Sequence, residues 1–205
     1  NGDGKIDMAV ANLASGSISV FIDNGNGTFA AKVDYGAAAN PYAIIAADFN
    51  GDGKPDLAVA NGSTSTVSVF INNGNGTFAT KVDYTTGTSP YSVTAADFNG
   101  DGKIDLAVAN GASASVSIFI GTGTGTFAAK VDYTTGTSPY SVTAADFNGD
   151  GKIDLAVANN LSSPVSIFIG PGTGTFAAKV DYTTGPPPWF LTAAHLNCGD
   201  KPHTP

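Results

Sequence analysis

Glutamate, glutamine and arginine are absent from this 205-residue chain; all 17 acids are aspartate and all 9 formally charged bases lysine. With no arginine and no lysine cluster there is no basic stripe to follow a phosphate backbone, so nucleic acid is excluded as a partner. The missing residues are strong helix formers, which argues against a helical protein. The lone cysteine, Cys198, excludes an internal disulfide. No apolar run reaches the roughly 18 residues that a spanning helix needs, so no direct membrane insertion is expected. No initiator methionine or leader opens the chain. It starts within a repeat and ends in a degraded one, and is expected to be a piece of a longer protein.

What is present is glycine, threonine, serine, valine and asparagine, an all-β composition. The chain repeats itself. Residues 85–110 and 134–159 are identical at all 26 positions, and the unit of 49 residues recurs without insertions. We divide a single domain, 1–205, into units at about 1–41, 42–90, 91–139 and 140–188, with 189–205 left as an inner strand followed by a corrupted loop.

The unit is organised around Asp97-Phe98-Asn99-Gly100-Asp101-Gly102-Lys103-Ile104-Asp105. Oxygen side chains stand at positions 1, 3, 5 and 9, and Gly102 permits a tight bend. Ca²⁺ takes six to eight oxygen ligands at about 2.3–2.6 Å. The predicted ligands are Asp97, Asn99, Asp101 and Asp105, with the Lys103 backbone carbonyl. Asp48, Asn50, Asp52, Lys54 and Asp56 form a second copy, and Asp146, Asn148, Asp150, Lys152 and Asp154 a third. Asn1, Asp3, Lys5 and Asp7 form a partial one. A final copy, with His195, Gly199 and His203 at positions 1, 5 and 9, is not expected to bind. Eleven of the 17 aspartates lie in these loops, so the net charge of −8 is mostly a metal-site charge. An EF-hand is excluded, because its position 12 requires a bidentate glutamate and Val108 and Val59 stand there.

Each unit carries four short strand signals, which in the third unit run Tyr91 to Phe98, Ile104 to Asn110, Val116 to Ile120 and Phe127 to Tyr133. The first is rich in small residues, which suits a crowded centre. The fourth bears Lys130 and Asp132 on one face, which suits an outer edge. Four antiparallel strands per repeat of 40–50 residues predict an all-β β-propeller whose strands run from centre to rim in chain order.

The segment Asp97 to Val108, with its equivalents 48–59 and 146–157, resembles the FG-GAP repeat of integrin α-subunit propellers, and more closely the bacterial VCBS/FG-GAP-like repeat. The resemblance covers almost the entire chain. It implies Ca²⁺ in the hairpin loop between the first two strands of each blade. The Phe-Gly and Gly-Ala-Pro marks are not preserved; Gly-Thr-Ser-Pro-Tyr stands at the crossover instead, which weakens any transfer of integrin ligand binding. The resemblance implies seven blades. The spare strand Trp189 to Leu196 would equally let four blades close, by supplying the inner strand that unit 1 lacks. A closed four-blade ring and an arc of a seven-blade ring both fit.

Other motifs read as structure. Gly121-Thr122-Gly123-Thr124-Gly125 and Asn72-Asn73-Gly74-Asn75-Gly76 are hairpin turns rather than phosphate loops. The Asn26-Gly27-Thr28 and Asn75-Gly76-Thr77 glycosylation signals fall in such turns. Tyr42, Tyr91, Tyr140 and Trp189 recur at one position, for inter-blade packing or for stacking on a sugar. The polar groups repeat almost identically, and no nucleophile–base pair stands out. His195, Cys198 and His203 are the only asymmetric reactive residues. The expectation is a non-catalytic Ca²⁺-binding module for adhesion or protein recognition. It would be extracellular or on a bacterial cell surface, where millimolar Ca²⁺ fills such loops. The alternatives are a lectin-like propeller and an accessory domain of a larger secreted enzyme. The partner is an unidentified protein or glycan.

Overall fold

A computed structural model of the chain describes residues 2–162 and 164–194. They form fifteen strands in four antiparallel sheets. Blade 1 has three strands: β1 (Met8–Asn12), β2 (Ser17–Phe21) and β3 (Val33–Gly36). Blade 2 has β4 (Pro41–Ala47), β5 (Asp56–Asn61), β6 (Thr66–Phe70) and β7 (Val82–Thr85). Blade 3 has β8 (Pro90–Ala96), β9 (Asp105–Asn110), β10 (Ser115–Phe119) and β11 (Val131–Thr134). Blade 4 has β12 (Pro139–Ala145), β13 (Asp154–Asn159), β14 (Pro164–Phe168) and β15 (Val180–Thr183). In every sheet the strand order is the chain order, as a propeller blade requires.

In blades 2, 3 and 4 the second strand is buried along its whole length, with an apolar Leu-Ala-Val-Ala centre between a terminal aspartate and asparagine, because both its faces are covered. In β9, Leu106 and Val108 join Val67 and Val69 of blade 2, while Ala107 and Ala109 turn to blade 4. The third strand alternates: Val116 and Ile118 point to blade 4, Phe119 to blade 2. Three apolar clusters result, one between each pair of consecutive blades. The inner strands lie close together, and the Val142 amide donates to Ser92 Oγ at 3.2 Å. Bulky side chains there would force the blades apart, which explains the alanines and serines of β8 and β12.

Two expectations change. The fourth strand is shorter than predicted. Phe127 makes only an isolated bridge to Gly121, and the ladder resumes at Val131. Ala128 still donates its amide to the Ile120 carbonyl at 2.8 Å, and Ala129 and Lys130 then leave the ladder before it resumes. Among the described residues the inner-strand clasp is not formed. Trp189 to Ala194 carry no strand pairing, and Leu191 lies beside β12, its amide 3.4 Å from Ser141 Oγ. Among the described residues no apolar cluster joins blade 4 to blade 1, so the blades form an arc. His195 and Leu196 lie outside the described residues.

Candidate metal loops and the braces that hold them

The loop between β8 and β9 is curled by Gly100 and Gly102, both left-handed at φ 75° and 79°. Asp97 holds the curl: its Oδ1 accepts the amides of Gly100 (2.7 Å) and Asp101 (3.2 Å), and its Oδ2 that of Gly102 (2.8 Å). Asn99 Oδ1 accepts the Asp101 amide at 3.0 Å. Asp101 Oδ1 accepts the Lys103 amide at 3.0 Å, while its Oδ2 lies 3.2 Å from Lys103 Nζ. The same amide bonds recur around Asp48, Asn50 and Asp52, and around Asp146, Asn148 and Asp150. The lysine stems of these loops cross the next hairpin. A Cβ on Gly123 would sit 2.7 Å from Lys103 Cδ, and one on Gly74 would sit 2.5 Å from Lys54 Cε.

Position 9 differs from the others. Asp56, Asp105 and Asp154 are fully buried. Asp105 Oδ2 accepts the Phe98 amide (2.8 Å) and Oδ1 the Gly121 amide (2.7 Å), stapling the loop to the end of the third strand. Asp56 does the same with Phe49 and Asn72, and Asp154 with Phe147 and Gly170. Burial pushes the Asp105 carboxyl above the ordinary carboxylate range, and the charges of Asp97 and Asp101 add to this. Asp56 is raised in the same way, by burial and then by Asp52 and Asp48. Asp101 is lowered, chiefly by the Lys103 amide. In the partial copy Asp3 Oδ1 accepts the Lys5 amide (3.0 Å) and Asp7 Oδ1 the Asp23 amide (2.9 Å). Asn1 lies outside the described residues, as do His195, Cys198 and His203.

Among the described residues no three acidic, histidine or cysteine side chains are close enough to share one ion. The structure thus gathers the predicted ligands of each full copy on one nine-residue loop, within electrostatic reach of one another, and turns their oxygens to backbone amides. The donor set fits a hard cation in kind: carboxylates, one carboxamide and a backbone carbonyl, with no nitrogen or sulfur ligand. Holding an ion would require Asp97, Asn99 and Asp101 to turn from amides toward it.

A second set of polar residues escaped the sequence reading. In blade 3, Asn110 Nδ2 donates to Ser117 Oγ (2.8 Å), and Ser117 donates to Asp132 Oδ1 (2.6 Å). Lys130 Nζ closes on the other oxygen of Asp132. The relay crosses the sheet in register, Ser117 opposite Asp132. It recurs as Asn12–Ser19–Asp34–Lys32, Asn61–Ser68–Asp83–Lys81 and Asn159–Ser166–Asp181–Lys179. Lys130 and Asp132 are therefore more than edge charges; they terminate a buried polar brace. The available signal was that all four residue types recur at intervals of 49.

The turns and aromatics are also placed. Thr122 donates its amide to the Thr126 carbonyl at 2.9 Å, and Asn75 Oδ1 accepts from both the amide and hydroxyl of Thr77, so both segments are hairpin turns. Tyr42, Tyr91, Tyr140 and Trp189 form one ladder, with centroids 4.9, 4.7 and 4.8 Å apart from blade to blade. Tyr42 and Tyr91 also border a groove of about 300 Å³ with Ser63, Ser65, Thr88 and Ser89.

Four-stranded blades in chain order, joined face to face, define a β-propeller architecture. The chain belongs to the family of FG-GAP-like repeats, whose model matches residues 1–59, 48–108, 97–157 and 146–200. No curated protein matches the chain. Among solved structures, an Agrocybe aegerita lectin described as recognising non-reducing terminal N-acetylglucosamine aligns at 21% identity with a TM-score of 0.62, over 88% of this chain and 49% of its own. A putative 6-phosphogluconolactonase of Bacteroides fragilis aligns at 23% identity and 0.68, over 90% and 53%. The periplasmic gluconolactonase of Pseudomonas aeruginosa aligns at 18% identity and 0.66, over 88% and 52%. The chain spans about half the length of each, and what it shares with them is the fold.

Proposed function

We propose that the chain is a Ca²⁺-binding, non-catalytic propeller module of an extracellular or cell-surface protein, serving adhesion or protein recognition. The observation that carries this reading is the threefold recurrence of Asp-Phe-Asn-Gly-Asp-Gly-Lys-x-Asp, each time between the first and second strands of a blade. Three carboxylates on one such loop repel one another. A divalent cation offsets that repulsion and pins the hairpin, coupling blade stability to Ca²⁺. Asp97, Asn99, Asp101, Asp105 and the Lys103 carbonyl would hold the ion in blade 3, with their equivalents in blades 2 and 4. The near-identity of the polar groups from blade to blade supports a non-catalytic role, since a reaction centre needs distinct groups in distinct roles. The test is thermal melting in Ca²⁺ and in EDTA. A clear rise in Tm with Ca²⁺, reduced in Asp48→Asn, Asp97→Asn and Asp146→Asn, is expected; superimposable curves refute the metal assignment.

A lectin is the second reading, favoured by the polar groove beside Tyr42 and Tyr91. Binding on a glycan array that Tyr91→Ala and Tyr140→Ala abolish would establish it, and silence across the array would remove it.

A further inference from the structure

The loops of blades 2, 3 and 4 are joined to one another by a continuous line of hydrogen bonds. In blade 3, Phe98 stands at position 2 of its loop and is held from both sides. Its amide donates to Asp105 Oδ2 at 2.8 Å, within the blade. Its carbonyl accepts the Gly174 amide at 3.0 Å, from the glycine hairpin of blade 4. That hairpin returns to its own loop. The Gly170 amide donates to Asp154 Oδ1 at 2.8 Å, and Asp154 Oδ2 accepts the Phe147 amide at 2.9 Å. The same step links blades 2 and 3. The Phe49 carbonyl accepts the Gly125 amide at 2.9 Å, and the Gly121 amide of that hairpin donates to Asp105 Oδ1 at 2.7 Å. Loop 2 is thus bonded to loop 3 and loop 3 to loop 4, while this line joins loops 2 and 4 only through loop 3.

Packing makes each step tight. Phe49 and Phe98 are buried, and each sets its ring edge-on against a phenylalanine of the next blade's hairpin, Phe127 and Phe176, with centroids 5.6 Å apart in both cases. The donating glycines have no room for a side chain. A Cβ on Gly125 would lie 2.5 Å from Ile71 Cδ1, and one on Gly174 would lie 2.7 Å from Ile120 Cδ1 and 3.3 Å from Asn99 Cβ. Asp48 and Gly51 of loop 2 face Gly102 and Lys103 of loop 3 across one cleft of about 390 Å³.

We propose that the three loops take up Ca²⁺ as a coupled row, in which filling one loop raises the affinity of its neighbour. This rests on the Ca²⁺ reading given above. Phe98 lies between Asp97 and Asn99, two of the residues that would hold the ion. A cation that draws those side chains from the loop amides re-sets the backbone on both sides of Phe98, and the carbonyl that Gly174 reaches belongs to that backbone. An ion in loop 3 therefore fixes the hairpin of blade 4 and, through Gly170, Asp154. An ion entering loop 4 meets a loop already partly ordered and costs less conformational freedom. By linkage the effect is reciprocal. Direct repulsion between two divalent ions has the opposite sign, so positive coupling marks the bonded route.

Calorimetric titration with Ca²⁺ tests this on three full-length chains, each with one loop blocked: Asp48→Asn with Asp52→Asn, Asp97→Asn with Asp101→Asn, or Asp146→Asn with Asp150→Asn. With loop 2 or loop 4 blocked, the two open loops are neighbours, and filling one is expected to raise affinity at the other about fivefold or more. With loop 3 blocked, loops 2 and 4 are expected to bind independently. Gly174→Ala, added to the chain with loop 2 blocked, touches no ligand; two ions are expected to bind without coupling. Hydrogen exchange at the Gly174 amide gives a second readout that needs no substitution at the junction. It is expected to slow on adding Ca²⁺ even when loop 4 is blocked. Absence of binding in all three chains refutes the Ca²⁺ reading and the coupling with it. Binding with independent sites in both neighbouring pairs, together with Gly174 exchange that Ca²⁺ leaves unchanged, overturns the coupling alone. Coupling as strong between loops 2 and 4 as between neighbours overturns the route through Phe98.

Discussion

Replacing Ser117 by alanine removes the middle of a relay whose every other part stays in place. Ser117 is fully buried; it accepts from Asn110 at 2.8 Å and donates to Asp132 at 2.6 Å. The bond to the carboxylate is charge-assisted, and such bonds contribute about 1.5–3 kcal/mol. Asn110 Nδ2 keeps a contact with Ser115 Oγ at 3.2 Å, so its loss is only a neutral bond, about 1 kcal/mol. The volume change is one oxygen atom and leaves almost no cavity. The expected cost is therefore about 2–4 kcal/mol. In urea, with a slope of about 2 kcal/mol/M, the midpoint falls by about 1–2 M at unchanged slope. Asp132→Ala and the double variant complete a cycle, and coupling of about 1–2 kcal/mol between the two sites is expected. A midpoint moved by less than about 0.2 M, or additive effects of the two substitutions, would refute the view that the relay holds the sheet.

How much of this was legible in the sequence follows from which relations lie close in the chain. The 49-residue period, the four-strand unit and the aspartate-glycine loops are local or periodic, and FG-GAP-like membership and the propeller rest on them. The relay was invisible because its members are apart by 7 residues (Asn110 to Ser117) and by 15 (Ser117 to Asp132), a spacing that only the register of β10 between β9 and β11 turns into contact. Position 9 illustrates the same limit. The place of Asp105 in the loop predicts a ligand, while its bond to Gly121, sixteen residues away across the blade, comes only from the fold. The tyrosine ladder was half legible. Recurrence pointed to packing, yet only the closeness of the inner strands brings rings 49 residues apart to within 5 Å.

Two further outcomes bear on other parts of the structure. Gly102→Ala forces an alanine into φ 79° and is expected to cost about 1–2 kcal/mol in EDTA, measured by chemical denaturation; a neutral result would mean the loop adopts another conformation. Tyr91→Ala removes the ring between Tyr42 and Tyr140 and is expected to lower stability by about 2–4 kcal/mol by the same measurement, somewhat below the usual aromatic-to-alanine loss because the ring is only partly buried.

The central claim is that the repeated loops are cation sites. Equilibrium dialysis of the chelator-stripped chain against Ca²⁺ at millimolar concentration measures it most directly. The account predicts saturable uptake of three ions per chain, one for each complete loop, at Asp48–Asp56, Asp97–Asp105 and Asp146–Asp154, with one ion lost when Asp97 and Asp101 are both replaced by asparagine in a chain that still melts cooperatively. No uptake above a protein blank at that concentration, or uptake unchanged by the double substitution, would contradict it.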